Sequence, residues 1–155
     1  MKHALFQSTL FCLSLLTLTL ISSTSLAKGD LSAQEIKTVR VELSNKNDQL
    51  IFSPNLITIE TGKLIKLVLS NPSNNKHYFS SDKLSQAVFT RKIQTLDERG
   101  SVISEIKGNI REVEVYPGRT VEWWLVPIKT GRYDDLKCVI PGHAEAGMVG
   151  RIEIF

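Results

Sequence analysis

From residue 36 onward the sequence is a series of short stretches in which apolar and polar residues alternate, separated by turn residues. The first stretch places Val39, Val41 and Leu43 on one side, with polar residues between them. A period of two is the pattern of a strand with one buried face. The stretch KLIKLVLSN, residues 63–71, is more apolar and predicts a more deeply buried strand. Seven or eight such strands with turns between them predict an all-β fold, a β-sandwich or barrel.

One short helix interrupts this pattern. Residues 82–89, DKLSQAVF, follow Ser81, and either Ser81 or Asp82 could cap the helix. Residues 91–109 are mixed in composition and show no clear period. We therefore treat residues 82–109 as an insertion that covers a site or binds a partner.

The N-terminus has the pattern of an export signal. Lys2 gives a short basic start, residues 10–21 are apolar and uncharged, and Ser25-Leu26-Ala27 places small residues where signal peptidase cleaves. We predict a signal peptide at 1–27, cleavage after Ala27 and a single domain at 28–155 in the bacterial periplasm. The apolar run is shorter than the roughly 20 residues of a membrane span. An uncleaved N-terminal anchor is the alternative interpretation.

Removal of the predicted signal leaves few metal-binding side chains. Cys12 and His3 would be lost with it, and the net charge would fall from +3 to +2. A charge so close to neutral, without a basic run, does not indicate nucleic-acid binding. The donors that remain are the following: His77, Cys138, His143 and Met148. A lone cysteine in an exported chain is a spare thiol, an intermolecular partner or a metal ligand.

Three of these four donors occur within eleven residues, in the segment CVIPGHAEAGM with C-x4-H-x4-M spacing. Cys138 is expected to end one strand and Met148 to begin the last, so the loop between them can bend three side chains toward one point. His77 lies on the predicted loop after the third strand and would be the fourth donor if that loop opens at the same end. Taken singly, a cysteine or methionine is more often packed in a core than bound to a metal, and a lone histidine in a loop is usually a surface residue.

The donor set selects the metal. A thiolate, two imidazoles and a weak axial thioether form the ligand set of copper sites that transfer single electrons. Structural zinc sites also use Cys and His but without methionine, so Met148 favours copper, cycling between Cu(I) and Cu(II).

The same segment resembles the C-terminal copper loop of the cupredoxins, the small blue copper proteins. Further similarity lies in FSPxxIxIxxG at 52–62, in the histidine that follows SNPSNNK, and in the VxPG turn at 115–118. The loop spacing is similar to that of long-loop, rusticyanin-like members. The resemblance implies a Greek-key β-sandwich of about eight strands with copper near one end. It also implies an equatorial plane of His77, Cys138 and His143, with Met148 as the axial ligand.

One departure from the family pattern concerns the residue after the first histidine. Many members have Asn or Ser there, which supplies hydrogen bonds near the thiolate and tunes the potential, whereas this chain has Tyr78.

These observations predict a monomeric electron carrier that meets a transient redox partner, such as a cytochrome or an oxidase, through a solvent-facing His143. A periplasmic carrier that delivers copper to an exported oxidase is the alternative. An enzyme using Cys138 as nucleophile and His143 as base lacks a recognisable orienting residue. Multicopper oxidase or nitrite reductase chemistry would need more histidines than the mature chain contains.

Overall fold

The computed structural model describes residues 33–155, which form two β-sheets and one short helix. The predicted signal peptide and its cleavage site lie outside the described residues. The elements in chain order are β1 (Lys37–Leu43), β2 (Phe52–Ser53), β3 (Leu56–Ile59), β4 (Ile65–Ser70), β5 (His77–Ser80), α1 (Asp82–Ala87), β6 (Val88–Leu96), β7 (Val102–Ile106), β8 (Glu112–Val115), β9 (Thr120–Pro127), β10 (Gly131–Lys137) and β11 (Val149–Ile154).

Six strands form one sheet in the order β2-β1-β4-β9-β6-β7, and five form the other in the order β3-β11-β10-β5-β8. Both sheets are mixed, because β1 pairs with β4 and β3 pairs with β11 in parallel. The chain passes from one sheet to the other at Pro54, between the edge strands β2 and β3. Proline suits such an edge position because it has no backbone N–H for a strand ladder.

The two sheets pack face to face through apolar side chains. Phe79 of β5 makes edge-to-face contacts with two aromatic rings of the opposite sheet, Phe52 at 5.9 Å and Trp123 at 6.4 Å between ring centroids. All three side chains are at most 3% exposed. Such aromatic contacts add to the free energy that burial of apolar area itself contributes. This arrangement confirms the predicted β-sandwich.

The strand count exceeds the prediction because the unassigned region is largely strand. β6 pairs with β9 along most of its length and is an interior member of the six-stranded sheet, so residues 88–96 belong to the body of the sandwich. β7 adds an outer edge. The predicted short helix is confirmed as α1, with Ser81 Oγ accepting the Leu84 N–H at 3.0 Å. It ends at Ala87, so Val88 and Phe89, predicted to be helical, belong to β6.

Strand register brings three chain segments to one end of the five-stranded sheet. Lys137 at the end of β10 lies opposite Val149 at the start of β11 and opposite Ser80 of β5. Since both pairings are antiparallel, the exit of β10 meets the entry of β11, and the chain that continues past Lys137 runs back along β5 toward the entry of that strand, where Tyr78 N–H points at Cys138 Sγ. Cys138, Met148 and His77 occupy these positions. Among residues 33–155, no helix has the length and apolar character that crossing a bilayer requires.

Candidate metal centre

The structure brings three of the predicted ligands together. One donor atom each from His77, Cys138 and His143 lies within 4.8 Å of the other two. Cys138 Sγ and His143 Nδ1 are 3.4 Å apart, and the two imidazole rings are 5.2 Å apart between centroids. Cys138 and His77 are at most 1% exposed, whereas His143 is only half-buried. The cluster is therefore closed on the protein side and reaches solvent at His143.

Met148, the fourth predicted ligand, is anchored at the same point by its backbone. Its carbonyl accepts the Cys138 N–H at 3.1 Å, and its own N–H donates to the His143 carbonyl at 2.9 Å. The side chain is fully buried. These bonds place Met148 beside both loop donors in the chain.

The segment from Cys138 to Met148, here called the 138–148 loop, is held by its own backbone. His143 N–H donates to Ile140 O at 3.0 Å and Ala146 N–H donates to Gly142 O at 3.0 Å. Gly142 has a φ of +85°, in the left-handed region that glycine adopts without steric cost. The loop therefore carries its conformation mainly in its own sequence.

His77 is positioned by a strand and not by a loop, which corrects the prediction. It is the first residue of β5, paired opposite Val115 of β8, rather than a loop residue. The preceding segment, residues 71–77, is organised by buried side chains, and His77 Nε2 lies 3.1 Å from Ser73 Oγ. The regular ladder of β5 and β8 thus fixes the backbone from which the imidazole projects.

The second ring nitrogen of His77, Nδ1, indicates whether this site fits a metal. Nδ1 is buried and has no hydrogen-bond partner among the described residues. A buried polar atom without a partner is expensive, roughly 1–3 kcal/mol, and calls for an explanation. A bound metal ion would explain the unpartnered Nδ1, since the neighbouring sulfur and imidazole complete a donor set suited to copper.

The electrostatics of His77 agree with a neutral imidazole. Burial lowers the pKa of His77 below its ordinary value, the nearby His143 lowers it further, and the carboxylate of Asp48 opposes them weakly. A neutral ring keeps a nitrogen lone pair, which ligation requires.

The backbone of Tyr78 supplies a contact to the thiolate, although this residue replaces the Asn or Ser found in many cupredoxins. Tyr78 N–H points at Cys138 Sγ with an N–S distance of 3.4 Å. An N–H directed at the sulfur stabilises an electron-rich thiolate and is the kind of outer contact that tunes a copper site. Because the main chain supplies this bond, it does not require Asn or Ser at position 78.

Sequence reasoning missed the residues that hold His77. Asn71 and Ser73 are polar, yet they are 1% and 3% exposed, respectively. The available signal was local, because Asn followed two residues later by Ser or Asn is typical of side-chain-to-backbone turns. Nothing in that signal says that the turn is buried beside a histidine.

Solved structures with this fold define the class of the protein. Auracyanin A, a "blue" copper protein from Chloroflexus aurantiacus, matches 78% of this chain and 100% of its own, with a TM-score of 0.51 and 15% identity. A laccase from Pediococcus acidilactici matches 81% of this chain with a TM-score of 0.57 and 20% identity, over 28% of its own chain. These likenesses show that the chain has the cupredoxin fold, and its His-Cys-His cluster could hold one metal ion.

Curated relatives narrow the class to a family. The copper-resistant cuproprotein CopI of Rubrivivax gelatinosus is 30% identical over 126 residues, 81% of this chain and 70% of the relative. CopI of Vibrio cholerae is 33% identical over 122 residues, 79% and 68% respectively. No protein-family model matches the sequence. The chain belongs to the CopI family of cuproproteins, and by fold and family it is a copper-binding protein.

Proposed function

We propose that this protein is an exported mononuclear type 1 copper protein that carries single electrons, with His77, Cys138, His143 and Met148 as its copper ligands. When bound, copper would supply a Cu(I)/Cu(II) couple. The chain would provide a thiolate, two imidazoles and a thioether, with Cys138, His77 and Met148 buried from solvent.

The observation that carries the proposal is a donor cluster that is assembled in the protein itself. Three donor atoms lie within 4.8 Å of one another, and Cys138 and His77 are buried and held by contacts on the protein side. Donors fixed in this way move little when the charge of a bound ion changes. Small rearrangement favours rapid electron transfer over catalysis of a bond-making step.

His143 is the proposed exit for the electron, because it is the half-buried member of the cluster. Around it, Pro141, Gly142 and Ala146 are exposed and uncharged, and Val139 is 40% exposed. A small apolar rim of this kind suits a weak, short-lived complex with a redox partner such as a cytochrome or an oxidase. The protein is proposed to act as a monomer in that complex.

The proposal includes export to the periplasm and no substrate turnover. The signal pattern at 1–27 supports export, and the mass of the mature protein tests cleavage after Ala27. Of the three histidines in the chain, His77 and His143 are assigned to one centre and only His3 is left. A further copper cluster of the kind that oxidases need requires several imidazoles, and removal of the predicted signal peptide would also remove His3.

Optical and paramagnetic resonance spectra of the copper-loaded protein test this function. The wild type should show intense thiolate-to-copper absorption in the visible, and Cys138→Ala should lose it completely. His77→Ala should lose or strongly alter the spectrum, whereas Met148→Leu should shift it and the potential while leaving the protein coloured. A colourless Cu(II) complex of the wild type would contradict the proposal, and an unchanged His77→Ala spectrum would remove His77 from the ligand set.

A second function is copper handling in resistance or in oxidase assembly. The printed name of both CopI relatives, copper-resistant cuproprotein, supports the role in resistance. Copper handling uses the same ligands but makes the ion the cargo. Rapid transfer of Cu(I) from the loaded protein to an apo-acceptor, without electron exchange with any cytochrome, would favour it. Retention of copper together with fast electron exchange would favour the carrier.

A further inference from the structure

Asn71 is the centre of the buried network beside His77. Its Nδ2 donates to the Asn75 carbonyl at 2.7 Å and to the Val115 carbonyl at 2.8 Å. Its Oδ1 accepts the backbone N–H of Ser73 at 3.0 Å and lies 2.7 Å from Ser73 Oγ. Two carbonyl oxygens on one side and an N–H on the other leave a single orientation for the amide. Oδ1 therefore faces Ser73 as an acceptor.

The hydroxyl of Ser73 has one proton, and two acceptors compete for it. Oγ lies 2.7 Å from Asn71 Oδ1 and 2.9 Å from the carbonyl of Asn75, and neither oxygen can donate. With the proton used there, Oγ can only accept from His77 Nε2, 3.1 Å away. Nε2 must then carry the ring hydrogen. In a neutral imidazole, Nδ1 is left with its lone pair.

This reasoning agrees with the independent observation that His77 Nδ1 is buried without a partner among residues 33–155. A protonated Nδ1 there would be a buried donor with nothing to bond. An unprotonated Nδ1 next to Cys138 and His143 has a lone pair available to bind a metal ion. In metal sites, the hydrogen bond on one ring nitrogen sets which nitrogen binds the ion.

We propose that Asn71 and Ser73 are positioning residues of the copper centre: Asn71 directs the Ser73 hydroxyl, and Ser73 fixes His77 in the Nε2–H tautomer with Nδ1 toward the metal. This inference rests on the proposed function, because it takes His77 as a ligand. It adds that the ring is oriented before any metal arrives, by two side chains four and six residues upstream.

The test begins with the metal-free protein, so that copper chemistry does not enter. Nitrogen-15 NMR of wild-type protein should show His77 with a protonated Nε2, an unprotonated Nδ1 and a ring N–H that exchanges slowly with water. Ser73→Ala should lose this slow exchange. Asn75→Ala is the matched control, since that side chain lies in the same segment, is exposed and makes no hydrogen bond to the described residues beyond those of its backbone.

Copper affinity is the second measurement, made by competition with a chromophoric Cu(I) chelator. Loss of an outer-sphere partner costs about 10–100-fold in metal affinity, and we expect Ser73→Ala to fall in that range. Ser73→Thr keeps the hydroxyl and should restore the slow ring N–H and most of the affinity. Asn75→Ala should match wild type in both measurements. Circular dichroism of each variant checks that the sandwich is folded.

Two results would overturn the inference. One is a wild-type His77 protonated at Nδ1 in the metal-free protein, and the other is a folded Ser73→Ala variant that keeps the slow ring N–H and wild-type affinity. Both are separable from failure of the proposed function. If the ring signals behave as expected but the Cu(II) protein is colourless, the positioning role stands while the electron-carrier function fails.

Discussion

His77 and the 138–148 loop reach the same cluster from parts of the chain that are built differently. The loop is closed by hydrogen bonds between its own backbone groups, and only glycine and turn geometry shape it. The 71–77 segment is closed by buried side chains, chiefly Asn71 and Ser73. Backbone turns tolerate changes of side chain, whereas a buried polar network fails when one member is removed. The two halves should therefore respond differently to perturbation.

Copper removal should produce the largest effect and should act on both halves together. An ion that binds only the folded protein stabilises it by about 4 kcal/mol when free copper is a thousandfold above its dissociation constant. We expect chemical denaturation to show this loss when a chelator removes the ion. Hydrogen exchange should show the amides of the 138–148 loop losing more protection than those of residues 71–77. Equal loss in both would mean that the halves are built alike.

A variant that cannot bind the ion provides the control. Cys138→Ala should show no difference in unfolding free energy with and without copper. A full copper effect in Cys138→Ala would place the stabilising ion elsewhere on the protein.

Gly150→Ala should strain β11, the strand that follows the 138–148 loop, and leave the 71–77 segment unaffected. A methyl group on Gly150 would lie 2.8 Å from the Asn55 carbonyl oxygen and 2.8 Å from Leu136 Cδ2, so β11 must move away from its neighbours. Overpacking of this kind costs about 2 kcal/mol. We expect that loss in denaturant unfolding of the metal-free protein, with the slow ring N–H of His77 unchanged. Val149→Ala, at a side chain 47% exposed, should stay within about 0.5 kcal/mol of wild type.

The sequence predicts the 138–148 loop well but predicts little of the segment that holds His77. Three donors within eleven residues between two strands identified the loop, because the contacts are local. His77 followed as the one imidazole left outside the loop once the predicted signal peptide is set aside, and the register of β5 with β8 and β10 explains why it lies beside the loop. Asn71 and Ser73 could not be predicted, since an NPSNN loop looks the same whether it is buried or solvated.

The strands at 88–106 were missed for a different reason, since the sequence assigns no element to residues 91–109 and places Val88 and Phe89 in the helix. The pairing of β6 with β9 shifts register between Thr90 and Lys92, which breaks the period-two pattern within one strand. β7 has no buried residue in its five positions, and its apolar residues, Val102, Ile103 and Ile106, are divided between its two faces, so no alternation marks it. Both strands are recognisable only through their partners. Periodicity fails to predict a strand where a bulge resets the alternation or where both faces of the strand are exposed to solvent.

His77→Leu should have a smaller effect on the metal-free protein, although His77 is buried. Leucine fills a volume similar to that of the ring but loses the Nε2 hydrogen bond to Ser73 Oγ. It also removes the buried Nδ1 that lacks a partner. The gain from removing Nδ1 offsets the lost hydrogen bond, so we expect a change within about 1 kcal/mol in either direction, with copper binding lost. Phe79→Leu in the same strand is the control and should cost at least about 1 kcal/mol, because Phe79 contacts Phe52 and Trp123. A large loss in His77→Leu would mean that removal of the unpartnered Nδ1 does not offset the lost Nε2 hydrogen bond.

Asp48→Asn should give the smallest effect, and a pH-dependent one. The backbone N–H of Asn74, and then its side-chain amide, hold the pKa of Asp48 below its ordinary value. The bonds are 2.8 and 3.1 Å long and tie the turn at Asp48 to the 71–77 segment. Asp48 has a φ of +55°, a conformation that Asn also tolerates, so the substitution removes the charge with little backbone strain.

The sign of the Asp48 effect follows from the direction of its shift. A carboxyl whose folded pKa is depressed stabilises the protein above its unfolded value of about 3.9, and this contribution disappears as the pH falls through the lower folded value. Metal-free wild type should therefore be more stable than Asp48→Asn at pH 7, and the two should converge in acid. Asp97→Asn, a carboxylate that accepts two backbone N–H groups in the β6–β7 turn, should leave copper affinity unchanged. If Asp48→Asn leaves it unchanged as well, the Asp48 tie stabilises the fold without helping to position His77, and Asn71 and Ser73 suffice.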